Sequence, residues 1–144
     1  LYIAAVNPRV EILFLSCYHH TAMRTITVLL IDDDIRVSQL LKRFLYETTY
    51  NVISAESGIK GIEMAQKHKP DIIFCDIMMP EMDGYGVLKE IRSDDRTKDI
   101  PFFFLTAKTQ TEDFMTGIRA GATGYQAKPT SREELVEAIQ GNVF

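Results

Sequence analysis

Thr27-Val28-Leu29-Leu30-Ile31-Asp32-Asp33-Asp34 sets five strand-like residues against three consecutive acids. The run is short, unbroken and rich in Val, Leu and Ile, which suits a parallel strand buried on both faces. Three later stretches follow the same plan. Asp71-Ile72-Ile73-Phe74-Cys75 is closed by Asp76, Phe102-Phe103-Phe104-Leu105 by Thr106, and Gly124-Tyr125-Gln126-Ala127 by Lys128 just before Pro129. If these runs are strands, carboxylates, a hydroxyl and an ammonium all emerge at strand carboxyl ends, where open α/β sheets place their ligands.

The segments between the runs read as helices. Val37, Leu40, Leu41, Phe44 and Leu45 recur at helical spacing. After a short strand at Asn51–Ala55, Ser57-Gly58 opens a helix carrying Ile59, Ile62 and Ala65, which Pro70 stops because proline cannot continue the hydrogen-bond ladder. Gly84–Ile91 presents Val87, Leu88 and Ile91 on one side, and Thr111–Ala120 ends at Gly121, a C-cap candidate. Ser131-Arg132-Glu133-Glu134 is a capping-box signature before Leu135, Val136 and Ile139.

Strict alternation of strand and helix implies right-handed crossovers and a parallel sheet covered on both faces. The expected fold is α/β, doubly wound, with five parallel strands in the order 2-1-3-4-5, a flavodoxin-like (βα)5 arrangement. In that order the first and third strands flank the switch point, so Asp32 and Asp76 open into one crevice.

Bulk properties narrow the function. The 144 residues predict one domain, and 46% hydrophobic with 25% charged residues marks a globular chain. A net charge of −4 argues against nucleic-acid binding, which needs a basic face. No apolar run approaches the roughly 18 residues of a membrane span. Cys17 and Cys75 lie far apart in unlike contexts, so no disulfide framework is expected, and a reducing cytoplasmic setting fits. Residues 1–22 stand apart from the repeating pattern. They lack the basic n-region and small-residue cleavage site of a signal peptide, and punctuation restarts at Met23. The expectation is a poorly ordered or non-native extension over 1–22 and one domain over 23–144. His19-His20 has no spaced partners and is a weak metal signal.

Helix capping accounts for Asp34 but not for Asp32, Asp33 and Asp76 together, because like charges in one crevice repel. A hard divalent cation is the economical compensation: Mg²⁺ takes one or two carboxylates, keeps several waters and leaves room for phosphoryl oxygens. Lys128 adds a second positive charge, and its bond to Pro129 is of the kind that can be cis. Thr106 can donate its hydroxyl to an anionic oxygen.

The segments Ile31–Asp33, Asp76–Gly84, Leu105–Lys108, Gly121–Tyr125 and Lys128-Pro129 resemble the receiver domains of two-component response regulators, over about Met23 to Asn142. The resemblance implies that Asp76 is the phosphoacceptor, taking a phosphoryl group from a phosphohistidine on a sensor histidine kinase or phosphotransfer protein. It implies that Asp33 and Asp76 ligate Mg²⁺ directly, that Asp32 acts mainly through water, and that the Met78 carbonyl completes the protein's share. Lys128 would pair with the phosphoryl oxygens, Thr106 would move to bind them, and Tyr125 would be the aromatic switch that follows Thr106. The chain would then be a phosphoacceptor that catalyses only its own phosphorylation and slow dephosphorylation, with no membrane and no nucleic acid among its partners. No DNA-binding or catalytic segment follows Phe144, so output is expected through contacts with a downstream protein. A phosphorylation-dependent homodimer, and membership of a larger regulator, stay open. Met78 and Lys108 occupy positions that tune phosphoryl lifetime in this family. Where the family commonly has Phe after Lys-Pro, this chain has Thr130.

Two other functions compete. A haloacid-dehalogenase-type phosphatase also uses a strand-end aspartate, but wants a second acid two residues on, where Met78 stands. A degenerate receiver used only for binding would not need the full acid, hydroxyl and lysine set.

Overall fold

The computed structural model describes residues 24–46, 48–107 and 111–144. Five strands, β1 (Thr27–Ile31), β2 (Asn51–Ala55), β3 (Ile72–Asp76), β4 (Phe102–Thr106) and β5 (Gly124–Ala127), alternate with five helices. The helices are α1 (Ile35–Leu45), α2 (Gly58–His68), α3 (Gly84–Ser93), α4 (Thr111–Arg119) and α5 (Arg132–Val143). All strand pairs are parallel and their order is β2-β1-β3-β4-β5, as the alternation implies. The expectation for residues 1–22 lies outside the described residues, as does Lys108.

Successive side chains of a strand point to opposite faces, so each central strand feeds two cores. Val28 and Leu30 of β1, Ile72 and Phe74 of β3, and Phe103 and Leu105 of β4 meet Leu41 and Leu45 of α1 and Leu135 and Ile139 of α5. The alternate residues Leu29, Ile31, Ile73, Cys75, Phe102 and Phe104 meet Ala65 of α2 and Val87, Leu88 and Ile91 of α3. Every residue of β3 and β4 is buried, which is why these runs show no polar alternation in sequence.

Helix ends follow from local chemistry. Asp34, Ser57, Asp83 and Ser131 each accept a backbone N–H of the first turn, and at Ser131 the Glu134 carboxylate returns the bond to complete the capping box. Before Pro70, α2 closes with Lys69 in the left-handed region at φ 45, and Gly121 takes φ 99 after α4. Arg92 ties three connections together: its Nε donates to Gly121 O at 2.9 Å, and its Nη1 to Lys98 O at 2.9 Å and Ile100 O at 2.8 Å.

Two residues grouped with the apolar helix faces lie outward instead. Leu40 is 46% and Ile59 49% exposed. Both sit at the margin of a stripe whose centre, Leu41 and Leu45 in α1 and Ala65 in α2, already meets the sheet. Thr130 is buried at the start of α5, its Oγ1 donating to Glu134 Oε2 at 3.3 Å. Beside it lies a cavity of about 300 Å³ lined by Val37, Leu40, Leu41, Leu105, Pro129 and Thr130. This space lies between α1 and the β5–α5 connection, and the capping of α5 is intact with Thr130 in place.

Candidate functional site

The crevice is assembled from four strand ends. Beyond β1, Asp32 N donates to Ala55 O at 3.1 Å, so pairing with β2 continues one residue past the strand. This holds the Asp32 carboxylate inward, 1% exposed, where it accepts from Asp34 N at 2.8 Å and from Lys128 Nζ at 2.7 Å. Asp33, the next residue, is exposed. Asp34 caps α1 and accepts two bonds from the Arg36 side chain, and these hold its carboxyl down at about 2. The three consecutive acids therefore do three different things.

Asp76 is the last residue of β3, in register with Leu105 of the neighbouring β4. Its loop folds back over the strand end. Met82 N donates to Pro80 O at 2.7 Å around Glu81 at φ 65, and Gly84 N donates to Ile77 O at 2.9 Å. A side chain at Gly84 would overlap the Asp76 carbonyl and lie 2.9 Å from Ile77 Cα. Glycine here permits α3 to begin directly against the strand end.

The opposite wall comes from β4 and β5. Thr106, 7% exposed, closes β4 in register with Ala127, and its carbonyl accepts from Lys128 N at 2.7 Å. The Lys128–Pro129 peptide bond is cis. The Lys128 ammonium reaches across the sheet to Asp32 and lies 3.4 Å from Asp76 Oδ1. Tyr125, three residues earlier, sits over the other face of the sheet against Phe104, ring centroids 5.1 Å apart.

Electrostatics separate the groups. Burial raises the Asp76 pKa, and the Asp32 charge adds to the rise, against the lowering influence of Lys128 and the Met78 backbone N–H. Burial alone would lower the Lys128 pKa, but its hydrogen bond and charge contact with Asp32, together with Asp76, outweigh it and the net shift is upward. Lys128 is therefore a firmly charged ammonium between two carboxylates. Asp32, Asp33 and Asp76 can each offer an oxygen within 4.8 Å of the others, a set of three carboxylates against one nearby ammonium. All-oxygen donors with excess negative charge fit a hard divalent cation such as Mg²⁺.

Asp32, Asp33, Asp76, Thr106 and Lys128 are brought to this end of the sheet, whereas Tyr125 packs against Phe104; Met78, expected through its backbone alone, turns its side chain outward, 78% exposed. Three features escaped the sequence reading. The direct Asp32–Lys128 bond spans 96 positions and has no local signal. The Met78 N–H contact with Asp76 is a backbone matter. The turn at Glu81 uses a positive φ without the glycine that would have announced it.

The sequence and the fold are both similar to those of known proteins. Residues 28–140 match the response regulator receiver domain. The DNA-binding dual master transcriptional regulator RpaA of Synechocystis is 40% identical over 113 residues, covering 78% of this chain and 47% of that one. The Vibrio cholerae chemotaxis protein CheY4 superposes with a TM-score of 0.78 at 33% identity, covering 82% of this chain and 98% of that chain. The receiver domain of the Pseudomonas aeruginosa sensor histidine kinase PA1611, solved with a magnesium ion coordinated in its active-site cleft, gives 0.76 at 28% identity, covering 83% and 98%.

The chain belongs to the response regulator receiver domain family, the phosphorelay signalling domains of two-component systems. It spans about half the length of the curated relatives it matches. Among the described residues, no helix is long and apolar enough to cross a membrane.

Proposed function

We propose that this domain acts in the cytoplasm, where Asp76 accepts a phosphoryl group from the phosphohistidine of a sensor histidine kinase or phosphotransfer protein, and that this switches a surface read by a downstream protein. The carrying observation is the shared crevice: a strand-end carboxylate with its pKa raised, faced by Asp32, Asp33 and the Lys128 ammonium. An Asp76 oxygen attacks phosphorus, the P–N bond breaks, and its electron pair returns to the donor imidazole, which takes up a proton. The product is an acyl phosphate on Asp76. Little covalent chemistry falls to the protein beyond this, since the loose transition state needs chiefly positioning and charge neutralisation.

Asp33, Asp76 and the Met78 carbonyl are the proposed direct holders of Mg²⁺, with Asp32 acting through water and through Lys128. When bound, the ion supplies charge neutralisation to the transferring group. Lys128 gives up its contact with Asp76 to pair with a phosphoryl oxygen while Asp32 keeps its stem aimed into the crevice. Thr106 donates its hydroxyl to a second oxygen, and Tyr125 follows. Beyond its own phosphorylation and slow dephosphorylation the domain turns over no substrate. With a net charge of −4, its output runs through protein contacts, the domain itself binding no nucleic acid.

Incubation with Mg²⁺ and acetyl phosphate, followed by intact mass measurement, tests this reading. One phosphoryl group is expected on the wild-type chain and none on Asp76→Asn. Equal modification of both, or rapid multiple turnover of small phosphate esters, would remove Asp76 from the role.

A further inference from the structure

Tyr125 lies opposite Phe104 in the β4–β5 register, and its ring is held between two others. Phe104 stands 5.1 Å away at 42° and Phe114 of α4 5.0 Å away at 39°. The phenol end of the ring points at α4, where Gly117 stands. Phe114 and Gly117 are three residues apart, neighbours on one helix face. Phe114 closes the side of the slot and Gly117 opens its floor.

The fit at Gly117 leaves no room for a side chain. A Cβ there would overlap the Tyr125 hydroxyl oxygen outright, fall 2.7 Å from Tyr125 Cζ, and fall 2.9 Å from Phe104 Cε2. The two Tyr125 atoms belong to a rigid ring pinned by aromatic neighbours, so they cannot yield as the end of a flexible chain would. Nothing in the helix itself asks for glycine here. Its φ lies outside the left-handed region, and glycine weakens a helix interior relative to alanine. The residue is explained by the ring above it.

We propose that Gly117 is a positioning residue of the switch: its missing side chain is the seat that lets Tyr125 lie inward. This rests on the reading of Tyr125 as the element that moves when Asp76 is phosphorylated. Any side chain at 117 drives the ring out of the slot, whatever the state of Asp76. Phe114 then loses its ring partner. The exposed apolar face of α4, formed by Phe114, Met115 and Ile118, changes with it. The three atoms nearest to a Cβ at Gly117 belong to Tyr125 and Phe104, not to Asp32, Asp33, Asp76 or Lys128, so phosphorylation of Asp76 is expected to persist in the variant.

Two measurements on the full 144-residue chain test the proposal and separate it from the reading beneath it. The first compares Gly117→Ala in the wild-type and Tyr125→Ala backgrounds by chemical unfolding. With the ring present, Gly117→Ala is expected to lower the unfolding midpoint; with the ring removed, only the 2.9 Å approach to Phe104 Cε2 remains and the loss should be much smaller. The same change in both backgrounds would overturn the seat. The second uses 3-fluorotyrosine labelling and fluorine NMR, with Tyr125→Phe to assign the signal. In the wild type the Tyr125 resonance is expected to shift on addition of Mg²⁺ and acetyl phosphate. In Gly117→Ala it should start at a solvent-exposed position and lose that response, while intact mass shows undiminished phosphorylation. A Gly117→Ala resonance that still responds overturns the positioning role. A wild-type resonance that never responds overturns the switch reading itself, a failure the unfolding comparison cannot produce.

Discussion

Lys128 and Asp76 differ in what their charges do to the metal-free fold. Lys128 Nζ bonds at 2.7 Å to an Asp32 carboxylate that is 1% exposed, so replacing the ammonium strands a buried charge. Lys128→Met is therefore expected to destabilise the chain by about 3 kcal/mol in the presence of a chelator, the lower end for a broken buried pair because the lysine retains some exposure. Asp76 carries the opposite sign. Its pKa is raised in the fold, so near neutral pH its ionised form opposes folding, and that opposition is relieved as pH falls through the folded pKa. Asp76→Asn should leave metal-free stability unchanged or raise it. Urea unfolding of both variants at pH 7 checks the pair, and destabilisation by Asp76→Asn would contradict the charge accounting.

Among the elements, α5 is the one whose attachment depends most visibly on a titrating group. Glu134 Oε2 accepts from Ser131 N at 2.8 Å and Ser131 Oγ at 3.1 Å, and these bonds hold its pKa below the ordinary 4.5. A lowered carboxylate pKa contributes stability that is fully present above the unfolded value and is lost as pH falls through the folded one. Glu134→Gln keeps the shape but not the charge, so it should flatten the stability-against-pH curve below about pH 4.5, with the loss of stability relative to the wild type greatest near pH 7 and vanishing in acid. Thermal unfolding across that range tests this; an unchanged slope would remove Glu134 from the acid response. The anchoring of α5 beyond its cap is shared with Leu135 and Ile139, which pack on β1, β3 and β4 residues irrespective of pH.

For the whole molecule, the crevice acids come from separate parts of the chain, Asp32 and Asp33 after β1 and Asp76 at the end of β3. A cation that binds all three binds only the folded state, so ion binding and folding are linked. At one hundred times its dissociation constant, Mg²⁺ should add about 2.7 kcal/mol, a rise in melting temperature on the order of 10 °C for a domain of this size. Asp33→Asn, at an exposed position, should diminish that rise with little effect on the metal-free protein. A melting temperature indifferent to Mg²⁺ would argue against the three-carboxylate site.

The alternation of short apolar runs with helical stripes determined strand number, parallel pairing and the faces of β3 and β4, because side-chain direction has a fixed period in each element. Residue type at the strand ends determined the candidate site, since an open parallel sheet delivers those positions to one edge. Other features depended on contacts between distant residues. Leu40 and Ile59 have the right period and the wrong depth, for other residues of their helices, Leu41 and Leu45 in α1 and Ala65 in α2, are the ones that meet the sheet. Asp32 and Asp33 are adjacent and chemically identical, yet one is buried against Lys128 and the other exposed, a difference set by β2 pairing past the end of β1. Gly117 reads in sequence as a mild weakness in a helix. Only with β5 laid beside β4, and Tyr125 turned toward α4, does the missing side chain become the space that a ring requires.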